Sequence, residues 1–422
     1  MKIITLFLLF VSFVTFSQNI DFDTFFINKT MRVDYYHTGD SINEIISLSE
    51  IKQEAFWGGS HKNLIDTFRY GRYMCEVYDS ASNKLIYSRG YNTLFQEWQT
   101  YAEAKKLRKS FYETLVFPYS KKTINVKIKR RQKNGKYHQI FSLNINPKDY
   151  MIKKENPPHF KTFTILKNGD SDKKLDIVFL FEGYTKAEKD KLHKDAERFA
   201  GYFWSYSPFK EHKTNFNIWG VESFSDESGT DIPGDFVWKR TEFNSSFYTF
   251  RTERYLTTRD VKSVRDAASL VPYDQIYIIV NTSKYGGGGI FNFWNLTAAD
   301  NSMSKWVFLH EFGHGFAGLA DEYVDSGISD DFYDKNTEPW EPNITNRVDF
   351  ASKWQDLIKK GTPIPTPDID KYNKTVGLFE GAGYLAKGVY RPYRNCEMRQ
   401  LQQGFCPVCT RAIERMLKFY SE

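Results

Sequence analysis

Residues 310–323 read HEFGHGFAGLADEY, and no other stretch of this chain limits its fold and chemistry as tightly. On a helix, the HExxH spacing sets His310 and His314 one turn apart on the same face, where two imidazoles can share one Zn²⁺. Glu311 follows the first histidine directly, close enough to take a proton from a water at that metal. Ser302 is placed to cap a helix running through Trp306, Val307 and Phe308 into the motif, and Gly318 to stop it. Asp321 and Glu322 come just after the stop, within reach of a third coordination position. A surface helix with two solvated histidines is the bland alternative, and the apolar residues around the motif argue against it.

The N-terminus predicts export. Met1-Lys2 carries charge, Ile3 to Phe16 is almost wholly apolar, and Thr15 and Ser17 stand at the −3 and −1 positions before Gln18. That is the pattern of a secretory signal peptide over residues 1–17, too short and wrongly flanked for a membrane anchor. No later stretch is long and apolar enough to span a bilayer, so the expectation is a secreted or periplasmic, monomeric protein starting near Gln18. Export favours a disulfide, with Cys396 paired to Cys406 or Cys409 and Cys75 free and buried. A structural zinc at these cysteines would need a fourth ligand, and no histidine follows His314, so a second metal site is not expected.

Net charge is +6, but 58 basic residues are spread among 52 acidic ones, and no nucleic-acid module is present. The basic run Lys127–Lys133 alternates with apolar residues and reads as the solvated face of a hairpin turning at Asn134-Gly135.

Residues 18–150 predict an N-terminal β-sandwich. Alternating runs at Arg72–Tyr78 and Thr123–Ile128 are separated by turn signals at Ser82-Asn83 and Asn134-Gly135, and a helical insertion fits near Glu103–Leu107. The polar segment Lys153–Pro158 reads as a linker. From residue 160 to 422 strands and helices alternate, giving an α+β chain overall. Asp176–Phe181, Asn217–Val221 and Gln275–Val280 are strands. Thr185–Glu188 is a capping box opening a helix that buries Leu192, Ala196, Phe199 and Phe203. Another helix carries Val261, Val264 and Ala268. Gly286–Gly289 is either a flexible loop or a rim beside an edge strand, where an extended peptide could pair its backbone.

The segment HEFGHGFAGLADEY, the Cys396-x-Met398 turn and the trailing Cys-x-x-Cys resemble the IgA-peptidase family of secreted bacterial zinc metallopeptidases. The likeness covers nearly the whole mature chain and extends to the metzincin pattern HExxHxxGxxH or D with its methionine turn. Ala317 stands where metzincins place glycine, while Gly318 and Asp321 keep the Gly-x-x-ligand spacing. The resemblance implies a zincin catalytic domain at 160–422, one catalytic Zn²⁺ and a peptide or protein substrate, immunoglobulin or another glycoprotein among the candidates. It implies His310, His314 and Asp321 as metal ligands, with Glu322 and Asp325 as alternatives for the third. Glu311 is then the general base, and Met398 floors the site without bonding the metal. Tyr323, Tyr384, Tyr390 and Tyr393 are the candidates to steady the oxyanion. The competing expectation is a binding or adhesion protein with a vestigial metal site. Intact His310, Glu311 and His314 weigh against it.

Overall fold

The computed structural model describes residues 20–154, 157–325 and 332–421; the expected export segment, residues 1–17, lies outside the described residues. The N-terminal part starts with one helical turn, α1 (Phe22–Phe25), followed by β1 (Phe26–Gly39), β2 (Glu44–Glu54), β3 (Tyr73–Asp79) and β4 (Leu85–Tyr91). After the short helix α2 (Leu94–Trp98) come β5 (Lys109–Ser120), β6 (Ile124–Arg131), β7 (Tyr137–Ile145) and β8 (Lys153–Lys154). They make two four-stranded sheets, ordered β5-β1-β2-β8 and β4-β3-β6-β7, that share one apolar core. Period-two patterning explains the packing. In β6, Ile124, Val126 and Ile128 are buried while Asn125, Lys127 and Lys129 turn outward. Within the basic run Lys127 and Lys129 lie on the outer face of β6, with Lys129 bound to Glu76 at 2.6 Å, whereas Arg130 turns toward the buried Glu44 side chain at 2.8 Å.

The second part runs β9 (Thr162–Leu166), β10 (Leu175–Glu182), α3 (Lys189–Phe203), β11 (Phe216–Val221), α4 (Val261–Ala268) and β12 (Gln275–Val280). It continues with β13 (Gly287–Ile290), β14 (Trp294–Ala298), α5 (Ser304–Ala317), β15 (Phe379–Ala382), β16 (Leu385–Arg391) and α6 (Pro407–Ser421). Six strands form a mixed sheet in the order β13-β14-β12-β10-β11-β9. The inner four are parallel, and the edge strands β13 and β9 are antiparallel. β10 and β12 are buried at every position, as strands covered on both faces must be. Ile177, Phe179 and Phe181 share a core with α3, α5 and α6. Val178 and Leu180, facing the other way, pack with α4 and with Phe95 and Trp98 of the N-terminal part. The Thr185–Glu188 capping box forms as expected and leads through a 3₁₀ turn into α3.

Three expectations are corrected. Helix α5 begins at Ser304 rather than after a Ser302 cap. The Asn301 side chain accepts the Met303 N–H (2.9 Å), and Ser304 Oγ donates to the Ala298 carbonyl (2.5 Å), which ties the helix start to β14.

The glycine run is not a flexible loop: Gly287–Gly289 belong to β13, the edge strand itself. Its outer side is occupied at Gly287, which donates to Arg254 O (3.3 Å) and accepts from Leu256 N (3.1 Å). Glycine is needed here for space. A Cβ on Gly287 would lie 2.9 Å from Glu311 Oε1, and one on Gly289 only 2.3 Å from Glu311 O.

The expected disulfide is absent too. All four cysteines are free and buried, and Cys396 Sγ rests 3.6 Å from Cys409 Sγ, far beyond the ~2.05 Å of a bond. Among the described residues no helix is long and apolar enough to cross a membrane.

Candidate metal centre

Helix α5 carries His310, Glu311 and His314 and lies against β13 and β14. It ends where Gly318 takes a left-handed conformation (φ 63°), with Gly318 N–H bonding His314 O and Leu319 N–H bonding Gly313 O, both at 3.1 Å. Glycine adopts that conformation without the Cβ penalty, so the chain reverses sharply there. The reversal returns Asp321 to the histidines. Asp321 Oδ1 is 3.2 Å from His310 Nε2 and 3.4 Å from His314 Nε2, and the two Nε2 atoms are 3.1 Å apart.

These spacings fit a metal. Ligand bonds of about 2.0–2.1 Å at tetrahedral angles put donor atoms roughly 3.3 Å apart. Asp321 Oδ1 is buried and accepts no hydrogen bond, so a shared cation is what that oxygen lacks. Both imidazoles are also turned correctly. His310 Nδ1 donates to Glu397 O (3.0 Å) and His314 Nδ1 to Leu319 O (2.6 Å), which leaves each Nε2 facing the centre.

Electrostatics inside the group are strong. Burial alone would raise the Asp321 pKa, but the two imidazoles outweigh it and hold the carboxylate well below its usual range. Burial opposes charge on His314, yet Asp321 lifts it to about 9; His310 is raised for the same reasons. Glu311, unlike Asp321, is pushed up, chiefly by desolvation.

The four tyrosine candidates separate. Tyr384 donates to Asp321 Oδ2 at 2.6 Å and so orients that carboxylate. Tyr323 lies beside it, ring centroids 5.4 Å apart, and accepts a hydrogen bond from Arg254 at 3.1 Å. Tyr390 instead pairs its backbone with Thr345, and Tyr393 packs against the core. Asp325 lies outside the His310–His314–Asp321 group, and Glu322 belongs to a different cluster. Met398 is fully buried below α5, where a Cβ on Gly313 would come 2.9 Å from its Sδ. Gly313 therefore lets Met398 pack close under the motif.

Several contributors were not legible in the sequence. Arg254 acts electrostatically on both Asp321 and Glu311. Glu397 accepts three backbone N–H groups from Gln402, Gln403 and Gly404 and thereby fixes the loop whose carbonyl holds His310. Glu97, on α2 of the N-terminal part, accepts a hydrogen bond from Tyr255 and feels both His314 and Glu311. Desolvation raises its pKa to about 7, although the Tyr255 hydrogen bond opposes the shift. None of the three has a local motif, because each is brought in by tertiary contacts.

Two family models match, and together they make the chain a peptidase with a peptidase-type N-terminal domain. Residues 163–374 and 367–417 match IgA Peptidase M64, and residues 21–142 match the Peptidase M64 N-terminus. The chain belongs to the IgA Peptidase M64 family. The family points to a metal cofactor, in agreement with the clustering of His310, His314 and Asp321. A search of curated proteins finds no match.

Proposed function

We propose that the mature chain is a secreted, monomeric zinc endopeptidase of the zincin type, with His310, His314 and Asp321 holding the metal and Glu311 as general base. The observation that carries this reading is the convergence of three donor atoms within 3.1–3.4 Å of one another, with Glu311 on the same helix. Zinc bound there would supply a Lewis acid that acidifies a water and polarises a peptide carbonyl. Glu311 takes the proton from the attacking water and delivers it to the leaving amine. Its position over the glycines of β13 keeps the carboxylate against the sheet edge. Tyr384 fixes Asp321 through Oδ2 and is thereby committed to orienting it. Tyr323, whose hydroxyl accepts a hydrogen bond from Arg254, is our choice to stabilise the developing oxyanion, since Tyr384 is engaged with Asp321.

Export before action follows from the leader-like residues 1–17. Specificity resides in the surface loops around the centre, so immunoglobulin is one candidate substrate among many glycoproteins. The test is cleavage of an unbiased peptide library by the purified mature protein. Internal cleavage that stops with a chelator and returns with zinc supports the reading. Binding to a protein partner with no cleavage under any metal condition would favour an adhesion protein with a vestigial site.

A further inference from the structure

A second cluster of metal-binding groups lies behind the first. Cys396, Cys406, Cys409 and Glu322 each offer one donor atom, and the four atoms all lie within 4.8 Å of one another. Every one of these residues is buried. Cys396 Sγ is 3.6 Å from Cys409 Sγ, and Cys409 Sγ is 3.3 Å from Glu322 Oε1. A tetrahedral zinc with Zn–S near 2.3 Å and Zn–O near 2.1 Å sets S···S at about 3.8 Å and S···O at about 3.6 Å. The Cys396–Cys409 and Cys409–Glu322 separations fall within about 0.3 Å of those edges, and no donor lies more than 4.8 Å from another.

We propose that Cys396, Cys406, Cys409 and Glu322 form a second, structural zinc site that locks the floor of the first. No histidine is needed, because a carboxylate from the distant Asp321-Glu322 segment completes the ligand set. Three independent features of the cage support it. Glu322 Oε2 is buried and has no hydrogen-bond partner, so the carboxylate lacks the compensation that a cation bound to it would supply. Glu322 Oε1 is already oriented by Asn343 Nδ2 at 2.9 Å, and Asn343 is itself fixed by paired bonds to the Ala320 backbone. The Cys406 N–H donates to Cys396 Sγ at 3.3 Å, the kind of contact that steadies a thiolate.

All four positions are filled by protein, which leaves no open coordination site and marks the site as structural. The ligand set also excludes magnesium and calcium, since thiolates select zinc over hard cations. Binding displaces the thiol protons to solvent, leaving three thiolates and one carboxylate around a dication. The two residual negative charges are offset by the Asn343 amide, the Cys406 N–H, the N-terminus of α6 and the Arg391 guanidinium, which acts on Glu322. One disulfide among the three cysteines would strand the third thiol beside a buried carboxylate; zinc uses all three.

The site ties together three segments. Cys396 begins the turn holding Met398, whose carbonyl accepts the Glu322 N–H at 2.8 Å. Cys406 and Cys409 bracket the start of α6. Glu322 adjoins Asp321, so an ion there fixes the return of Asp321 toward the histidines.

The test is metal stoichiometry in the mature chain and in a His310→Ala/His314→Ala double variant. Each is equilibrated with zinc, desalted and measured by elemental analysis; cobalt substitution reports ligand type. The expected result is two zinc ions in the parent and one in the double variant, with sulfur-to-cobalt charge-transfer absorption in both. Glu322→Gln should weaken the retained ion at least 10-fold against a competing chelator while the three thiols remain reduced. If the parent holds a single zinc and shows no thiolate–cobalt band, the second site does not exist. A native mass lower by two hydrogens, showing a disulfide among the three cysteines, would equally overturn it. The parent measurements require no variant to fold.

Discussion

Asp321 and Glu322 are consecutive in the chain yet face different clusters. Asp321 Oδ1 approaches His310 and His314 Nε2 at 3.2 and 3.4 Å, whereas Glu322 Oε1 meets Cys409 Sγ at 3.3 Å and Asn343 Nδ2 at 2.9 Å. The turn after Gly318 sends one carboxylate to the α5 face and the next into the core behind it. Choosing between them from sequence depended on a single residue of register. The geometry assigns Asp321 to the histidine pair.

Replacing Asp321 with alanine removes one of three donors and leaves two imidazoles. Its zinc affinity should fall well beyond the 10–100-fold typical of an orienting partner, and activity should fall with it. Tyr384→Phe, which deletes only the hydrogen bond to Oδ2, should stay within that 10–100-fold range. Competition with a chromophoric chelator ranks the two variants, and equal losses would contradict the assignment.

Gly287→Ala tests the packing of α5 on β13. The added methyl would lie 2.6 Å from Val307 Cγ1 and 2.9 Å from both Glu311 Cγ and Oε1, so these two side chains on the β13 face of α5 must shift, the base among them. The expected outcome is a kcat lowered at least tenfold with zinc content unchanged. Unaltered kcat would show that Glu311 tolerates displacement.

The parts of the fold visible in the sequence were those governed by local periodicity. β10, β12, α3 and α4 follow from apolar runs and a capping box, and the hairpin at Asn134-Gly135 from its turn chemistry. The glycine run was ambiguous because its reason is a neighbouring helix, which no local pattern records. The grouping of Cys396, Cys406 and Cys409 with Glu322 was hidden for a related cause, since Glu322 reaches them only through the fold. At the site, the α5 residues and Asp321 were legible from spacing, while Arg254, Glu397 and Glu97 converge from separate loops or from the other domain.

Glu97 carries a pH signature. Desolvation raises its folded pKa to about 7, above the usual 4.5 of a glutamate. Below pH 4.5 both folded and unfolded forms hold the proton, so the group contributes nothing. Between 4.5 and 7 the unfolded chain ionises first, and the native state loses stability as pH rises. Glu97→Gln should therefore be more stable relative to the parent at pH 8 than at pH 4.5, as urea midpoints at the two pH values would show. A pH-independent difference would mean that Glu97 is not held protonated.

Phe308 anchors α5 to the sheet. It is fully buried, with ring centroids 4.3 Å from Tyr277, 4.7 Å from Phe203 and 5.3 Å from Phe199. Phe308→Ala should destabilise the protein by about 3–5 kcal/mol in denaturant unfolding. A loss under about 1 kcal/mol would mean that the cavity collapses and α5 is held elsewhere.

The account stands on Glu311 acting as the base without serving as a metal ligand. Glu311→Gln keeps the shape of the side chain and removes its ability to accept the proton, so zinc content and peptide turnover, measured on the same preparation, separate the two roles. The predicted result is parental zinc content with peptidase activity reduced by at least the 10²–10⁴-fold that a positioned general base contributes. Activity that survives the substitution, or zinc lost in step with activity, would contradict the central claim.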